Sequence, residues 1–390
     1  MKKLNIMAAM MVGLLAFASC DSDRDDNPVL TVPESFNLLK PEIGDNVIDL
    51  ASSTAIEFKA EKAPNYSFPL EANYWLQVTG EDNASFADAD KIFSLSTTSN
   101  SITYKAPTNE VDLCVMKVKG WEDETQVDKT TPVTLNVRLV ASPKNLNDSA
   151  NYVYSTIQQI KVYPYFIKES LPKFWYITGS IIGNEGSTWK NDPAFFGTGM
   201  QPMYVKKGAE YDKFSGDGVV EWVGYLAEGG LIKFIEPKGL VTWNYSLSGG
   251  TINEKGGSGF AYRDGGDDPG NTNVEAAGYY VIDITTSDHS ITVKPYTEAV
   301  NKYTSVKIGD NEMAAVNTVA GMENHDWFAT ITLSGKTNMV FTANDGTTWG
   351  SSIFPCAIGS VKGSEIPCDK GTYKVFFNDI TGAYSFVEQK

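Results

Sequence analysis

Short runs in which apolar and polar residues alternate recur along most of the chain, the period-two signature of half-buried strands. They cover 55–60, 72–79, 133–140, 152–163, 174–178, 219–226, 279–286, 291–296, 328–333, 338–342, 373–377 and 383–387. Turns rich in Gly, Asn and Asp separate them. One segment follows another period. Val111, Cys114, Val115 and Val118 recur at helical spacing behind Thr108-Asn109-Glu110, with Lys117 and Lys119 late and Gly120 as a stop. The pattern predicts an all-β protein with one short helix, which in an immunoglobulin-like sandwich crosses from one sheet to the other.

Prolines mark the boundaries. Residues 29–166 form a first expected domain, and the stretch from Tyr163-Pro164-Tyr165 to Leu171-Pro172 reads as a linker. Residues 172–299 and 300–390 follow as two modules that repeat each other. Glu221-Trp222-Val223-Gly224-Tyr225-Leu226 aligns with Asp326-Trp327-Phe328-Ala329-Thr330-Ile331, and Ile232-Lys233-Phe234 with Met339-Val340-Phe341. Trp243-Asn244 then aligns with Trp349-Gly350, and Gly278-Tyr279-Tyr280 with Gly371-Thr372-Tyr373. The order is kept and only loop lengths drift, so the expectation is three tandem β-sandwich domains.

The N-terminus changes where such a protein would sit. Lys2 and Lys3 precede an apolar stretch, Ile6 to Phe17, that is too short to span a bilayer as an ordinary anchor. Leu15-Ala16-Phe17-Ala18-Ser19-Cys20 resembles the bacterial lipobox, so residues 1–19 are expected to be a signal peptide and Cys20 the lipidated first residue. Conventional cleavage beside an incidental cysteine is the alternative. Residues 20–28 form an acidic tether holding Asp21, Asp23, Asp25 and Asp26. It lacks the sixth-position Gly and twelfth-position Glu of a calcium loop. It resembles a surface-export signal, or serves as a plain solvated spacer.

Charge excludes some partners. The chain carries −16, and −18 once Lys2 and Lys3 leave with the signal peptide. Such a chain repels phosphate backbones and anionic lipid, so nucleic acid is excluded as a partner and membrane attachment is expected through the lipid only. Cys356 and Cys368 close a short loop and are a candidate disulfide, which the chain-entropy estimate makes worth about 3 kcal/mol. Cys114, among apolar neighbours, reads as a buried free thiol.

The lipobox, the acidic tether, Asn27-Pro28-Val29-Leu30 leading to Phe36-Asn37-Leu38 and then Val137-Arg138-Leu139, and two W…(K)F…W…G-x-Y modules together resemble the SusE/SusF outer-membrane glycan-binding lipoproteins. One N-terminal domain plus two modules is nearer the SusE arrangement than that of SusF. The resemblance implies an immunoglobulin-like domain followed by two sandwiches like carbohydrate-binding modules. It also implies a lipid-anchored outer-membrane protein facing the cell exterior. Its implied role is to hold starch-like α-glucan for a SusC/SusD-like importer, without cutting it and without a cofactor.

A sugar ring offers apolar C–H faces and a rim of hydroxyls, so exposed loop aromatics flanked by polar groups are the informative residues. Trp189, in the polar loop 183–192, is the first candidate. Trp243 and Tyr245 follow Lys233, a match to the basic residue the family sets beside its platform. Tyr262 and Arg263 lie in a Gly/Asp-rich loop, where a guanidinium suits paired hydroxyls. Asn344 and Trp349 are the candidates of the last module, which has no Trp equivalent to Trp189 and no Arg. Trp222 and Trp327 read as core. The loop 264–271 is acidic but lacks calcium-ligand spacing, and no metal is expected.

Two rival functions remain open at this point. A glycosidase needs two carboxylates facing each other across a cleft, which sequence alone does not reveal. His289 and His325 read as surface residues and leave little for a zinc site or a Ser/His/Asp triad. A structural adhesin, whose modules act as spacers, is the other.

Overall fold

The computed structural model describes residues 30–389 apart from 43–45, 68, 145 and 147. The expected signal peptide, Cys20 and the acidic tether lie outside the described residues. The chain divides into two units, Met1–Glu169 and Ser170–Lys390. No helix among the described residues is long and apolar enough to cross a membrane.

In the first unit, alternation becomes structure directly. Strand Ala55–Lys59 buries Ile56 and Phe58 and exposes Ala55, Glu57 and Lys59. Among the described residues it pairs with Thr103–Pro107, forming a two-stranded sheet. The larger sheet runs Ser35–Phe36, Val153–Ser155, Val133–Pro143, Ala72–Thr79, Phe93–Ser94, with Gln158–Tyr163 also on Val133–Pro143 and Val47–Asp49 beside it. Phe58, Tyr104 and Ala106 from the small sheet share one core with Leu76, Val78, Leu135, Val137 and Leu139 from the large one.

The expected helix is Thr108–Lys119. It leads from Thr103–Pro107 in the small sheet towards Val133–Pro143 in the large one, the crossing that the sequence predicted. Its buried face carries Val111, Asp112, Cys114, Val115 and Met116, and Gly120 ends it at φ +65°, where a side chain would be strained. Cys114 is a buried free thiol, pushed up to about 12 by burial.

The two modules expected at 172–299 and 300–390 fall within one compact unit, Ser170–Lys390. In the first, strands Val219–Leu226 and Gly278–Thr285 pair along their whole length, and Ser290–Pro295 completes the hairpin. Facing them is the sheet Gln201–Pro202, Tyr176–Gly179, Leu231–Ile235, Thr272–Val274, Thr251–Asn253, Gly256–Ser258, with Tyr245–Ser248 and Ala261–Asp264 branching from Leu231–Ile235. Trp222, Ile282, Phe234 and Leu247 meet in the core between them. The second module repeats the first pairing with Asp326–Leu333, Gly371–Asn378 and Ala383–Glu388. Its nine-stranded sheet folds over, so that Phe341 from one arm stacks on Phe377 from the other, ring centroids 4.2 Å apart.

Polar groups join the modules. Asp326, 1 % exposed, accepts hydrogen bonds from the indole N–H of Trp222 (3.0 Å), Asn378 Nδ2 (2.9 Å) and Asn317 Nδ2 (3.3 Å). Asn378 Nδ2 also donates to the Val223 carbonyl at 2.9 Å, and Asn317 Nδ2 to Gln201 Oε1 at 3.0 Å. Phe196, Met200 and Tyr204 pack with Phe376 and Ala383. Gly197, at φ +83°, lies so close to the Phe328 ring that a Cβ would stand 2.2 Å from it. Trp222 and Trp327 are core, as expected, but each also satisfies its N–H on a carboxylate, Trp327 on Asp379 at 2.7 Å.

His325 corrects an expectation. It is 1 % exposed, with Nδ1 2.7 Å from Asp379 Oδ1 and Nε2 3.0 Å from the Tyr279 hydroxyl. Its burial is possible because polar partners arrive from strand Gly278–Thr285 and from the turn after Gly371–Asn378. His289 does lie at the turn of its hairpin, yet its ring is stacked on Tyr262 at 3.7 Å.

Candidate functional site

Two loops of the first module bring Trp189 and Trp243 together. The first loop leaves strand Tyr176–Gly179 and returns on itself: Asn184 N–H donates to Thr198 O (2.7 Å) and Trp189 N–H to Gly179 O (3.2 Å). The second follows the single turn Pro237–Gly239, where Trp243 N–H donates to Gly239 O (2.9 Å). Val241 N–H donates to Asn191 O (2.9 Å), tying one loop to the other.

Trp189 (φ +57°), Val241 (φ +69°) and Trp243 (φ +64°) all take the left-handed backbone region. Each costs about 1–2 kcal/mol for an L-residue, so the surrounding bonds must hold them there. The reward is geometric. The two half-buried indoles sit with centroids 6.5 Å apart and planes tilted by 56°. Neither ring belongs to the module's buried core.

The polar residues beside them are organised differently from expectation. Lys233 is 4 % exposed and gives its ammonium to both oxygens of Asp268, at 2.6 and 2.8 Å. Arg263 donates through Nε to Gly266 O (2.8 Å) and through Nη1 to Trp243 O (3.2 Å). Gly265 N–H donates to Asn244 O at 2.8 Å. Lys233 and Arg263 therefore brace the acidic loop against the strand and the Trp243 turn. Tyr262 donates to Glu236 Oε2 (2.5 Å), and burial, helped by that bond, raises its hydroxyl well above its ordinary value. With one face on His289, Tyr262 is more wedge than platform. Tyr245 is half-buried, with the Lys238 ammonium 4.4 Å from its ring centre.

Trp349 and Asn344 do not form an equivalent surface in the second module. Trp349 is 4 % exposed and packs edge-on against Phe377 (5.3 Å) and Tyr303 (5.4 Å). The strand register gives the reason. Phe234 lies opposite Leu247, and its counterpart Phe341 lies opposite Trp349. Trp349 thus takes the core position of Leu247, not the loop position of Trp243. Asn344 Oδ1 accepts from Thr304 N–H (2.8 Å) and serves a turn. An edge of Trp349 reaches a groove of ≈ 640 Å³ that is also lined by Lys206, Tyr211, Ile353, Val361 and Thr381.

Cys356 and Cys368 are free thiols, not a disulfide. Cys356 lies on the strand beside Ser385, whereas Cys368 is buried in a two-stranded sheet opposite Thr337. Alkylation after denaturation without reductant should label Cys114, Cys356 and Cys368 alike; a labelled Cys114 with the other two blocked would contradict this arrangement. No group of three or more His, Cys, Asp or Glu among the described residues could hold a metal, the 264–271 loop included.

The sequence did not single out Asp268, Glu236, Asn191 or Val241. Asp268 and Glu236 carry no local motif, and their partners Lys233 and Tyr262 lie 35 and 26 residues away. Ala261–Asp264 is a strand that reads as loop because it is short and flanked by Gly and Asp.

Comparison with known proteins adds a family for the first unit. Residues 23–140 match the SusE outer membrane protein family. The SusE-like segment ends within strand Val133–Pro143 and does not reach the module that carries Trp189 and Trp243. Among solved structures, SusF from Bacteroides thetaiotaomicron is similar at 13 % identity, over 91 % of this chain and 76 % of that one, with a TM-score of 0.23. That likeness is too remote to pair one site residue with another.

Proposed function

We propose that this protein is a lipid-anchored outer-membrane lipoprotein that binds polysaccharide at the cell exterior without cleaving it. Trp189 and Trp243 form the binding surface. One observation carries the reading: two indoles from separate loops are held in a strained backbone, half-exposed, at a 56° tilt. Strain kept at a surface without core burial to repay it points to function. The SusE-like first unit supports the outer-membrane setting and a glycan-importer partner of the SusC/SusD type.

The tilt favours a chain that curves, because successive rings of a helical α-glucan turn their faces whereas a flat ribbon would meet only one indole. Starch-like α-glucan is therefore the first ligand to test. Affinity electrophoresis of the full chain in gels containing amylopectin should retard the wild type. Trp189→Ala is expected to weaken binding about tenfold, as for loss of one aromatic face worth about 1.4 kcal/mol. Trp349→Ala should instead lower stability, since that ring is core. Unretarded wild type across amylopectin, pullulan and mannan would sink the reading. Steady release of reducing ends would replace it with a hydrolase.

A further inference from the structure

Asp268 is linked to the Trp243 turn through Arg263, whose Nη1 lies 4.0 Å from Asp268 Oδ2 and 3.2 Å from the Trp243 carbonyl. Its side chain is 47 % exposed, yet Lys233 beneath it is almost wholly buried and spends two N–H bonds on it. Oδ1 accepts from Lys233 and from Gly270 N–H (3.0 Å), which fills that oxygen. Oδ2 accepts from Lys233 alone, with Arg263 Nη1 at 4.0 Å, beyond hydrogen-bond reach. The same Arg263 nitrogen touches the Trp243 carbonyl at 3.2 Å, so Oδ2 and the Trp243 turn are bridged by one guanidinium. The carboxylate is therefore fixed, charged, partly solvent-facing and able to accept one more donor at Oδ2.

We infer that Asp268 is the polar anchor of the Trp189–Trp243 site, accepting a sugar hydroxyl through Oδ2, and that it restricts the site to uncharged glycans. Lys233 and Arg263 are positioning residues: they aim Asp268 and hold Trp243, and they are not the groups that meet the sugar. The inference rests on the glycan-binding reading and deepens it. A hydroxyl donating to a carboxylate makes a charge-assisted bond of about twice the neutral strength. A uronate would bring a second carboxylate to the same place, and like charges disfavour it. Lys233 holds Asp268 below the usual carboxylate range, so the anchor stays ionised through neutral pH.

The test uses the full chain and two polymers that differ at C6 alone: amylopectin, and amylopectin whose C6 hydroxymethyl is oxidised to the uronate. Wild type should prefer the neutral polymer by about tenfold or more. Asp268→Asn should lose about tenfold on amylopectin while its preference between the polymers falls towards parity. A merely structural role would lower binding to both polymers equally, so the ratio discriminates. Asp268→Asn with wild-type affinity, or with an undiminished preference, overturns the assignment. Trp189→Ala run alongside separates the two failures. If it loses amylopectin while Asp268→Asn does not, only the anchor falls; if wild type binds neither polymer, both readings fall.

Discussion

Asp379→Ala is expected to destabilise the second unit by about 2–4 kcal/mol, the range for leaving two buried polar groups without their hydrogen-bond partner. Asp379 has no exposed side-chain surface and accepts two bonds, from Trp327 Nε1 (2.7 Å) and His325 Nδ1 (2.7 Å). Truncation leaves a buried indole N–H and a buried imidazole nitrogen without partners, and opens space between Asp326–Leu333 and Gly371–Asn378. The loss extends beyond one pair. His325 continues to Tyr279 of the other module, and Tyr279 to Glu323, which Lys302 meets at 2.6 Å. Hydrogen exchange read by mass spectrometry should show lost protection in both of those strands and unchanged protection in Val133–Pro143 of the first unit. Asp379→Asn, keeping one acceptor, should cost less. An alanine variant within about 1 kcal/mol of wild type would mean that the cluster is not what secures this part of the fold.

That cluster also marks where sequence reading stops. Long alternating strands were legible because one face is core and the other water, as in Ala55–Lys59 and Ala72–Thr79. So were the long paired strands Val219–Leu226/Gly278–Thr285 and Asp326–Leu333/Gly371–Asn378, which place apolar residues in a similar order. A buried Asp or His has no such periodicity. Its burial depends on a partner delivered from afar: Trp222 lies 104 residues from Asp326, and His325 54 from Asp379. Hence His325 read as surface.

The site was legible in part. Trp189 and Trp243 are half-exposed loop aromatics, as polar neighbours implied, and the structure adds that their rings lie 6.5 Å apart. Trp349 aligns with Trp243 in chain order, but order along the chain does not fix which face a residue takes. Cross-strand register, which fixes the inward face, sets it opposite Phe341 and so in the core. Lys233 and Arg263 were seen as free cations, since nothing local shows that Asp268 and the main chain already occupy them. The second module thus keeps the same long strand pairing but turns its tryptophan inward.

The first unit should lose stability as pH rises from 5 to 8, and Asp112→Asn should abolish that loss. Asp112 lies on the buried face of helix Thr108–Lys119 with no exposed surface; Oδ2 accepts from Tyr165 N–H (3.1 Å), and Oδ1 has no partner. Burial pushes its carboxyl up to about 7, the Tyr165 bond opposing only in part. A folded-state value above the unfolded one means that the folded chain holds the proton more tightly. The stabilisation is complete below the unfolded value near 3.8 and is lost as pH climbs through about 7. Each pH unit between those limits is worth up to ~1.4 kcal/mol, so about 2–3 kcal/mol should disappear between pH 5 and 8. Few other groups compete in that window. Both histidines of the chain lie in the second unit, Cys114 titrates near 12, and Asp82, Asp123 and Asp128, held below their ordinary values by hydrogen bonds, act only in strong acid. Asp112→Asn keeps the acceptor for Tyr165 but never ionises, so at pH 8 it should be the more stable protein and at pH 4 about equal to wild type. Hydrogen exchange of Val111–Met116 across pH, corrected for intrinsic rates, reads this directly. A wild-type profile flat from pH 5 to 8, or a slope that survives in Asp112→Asn, would place the buried proton elsewhere.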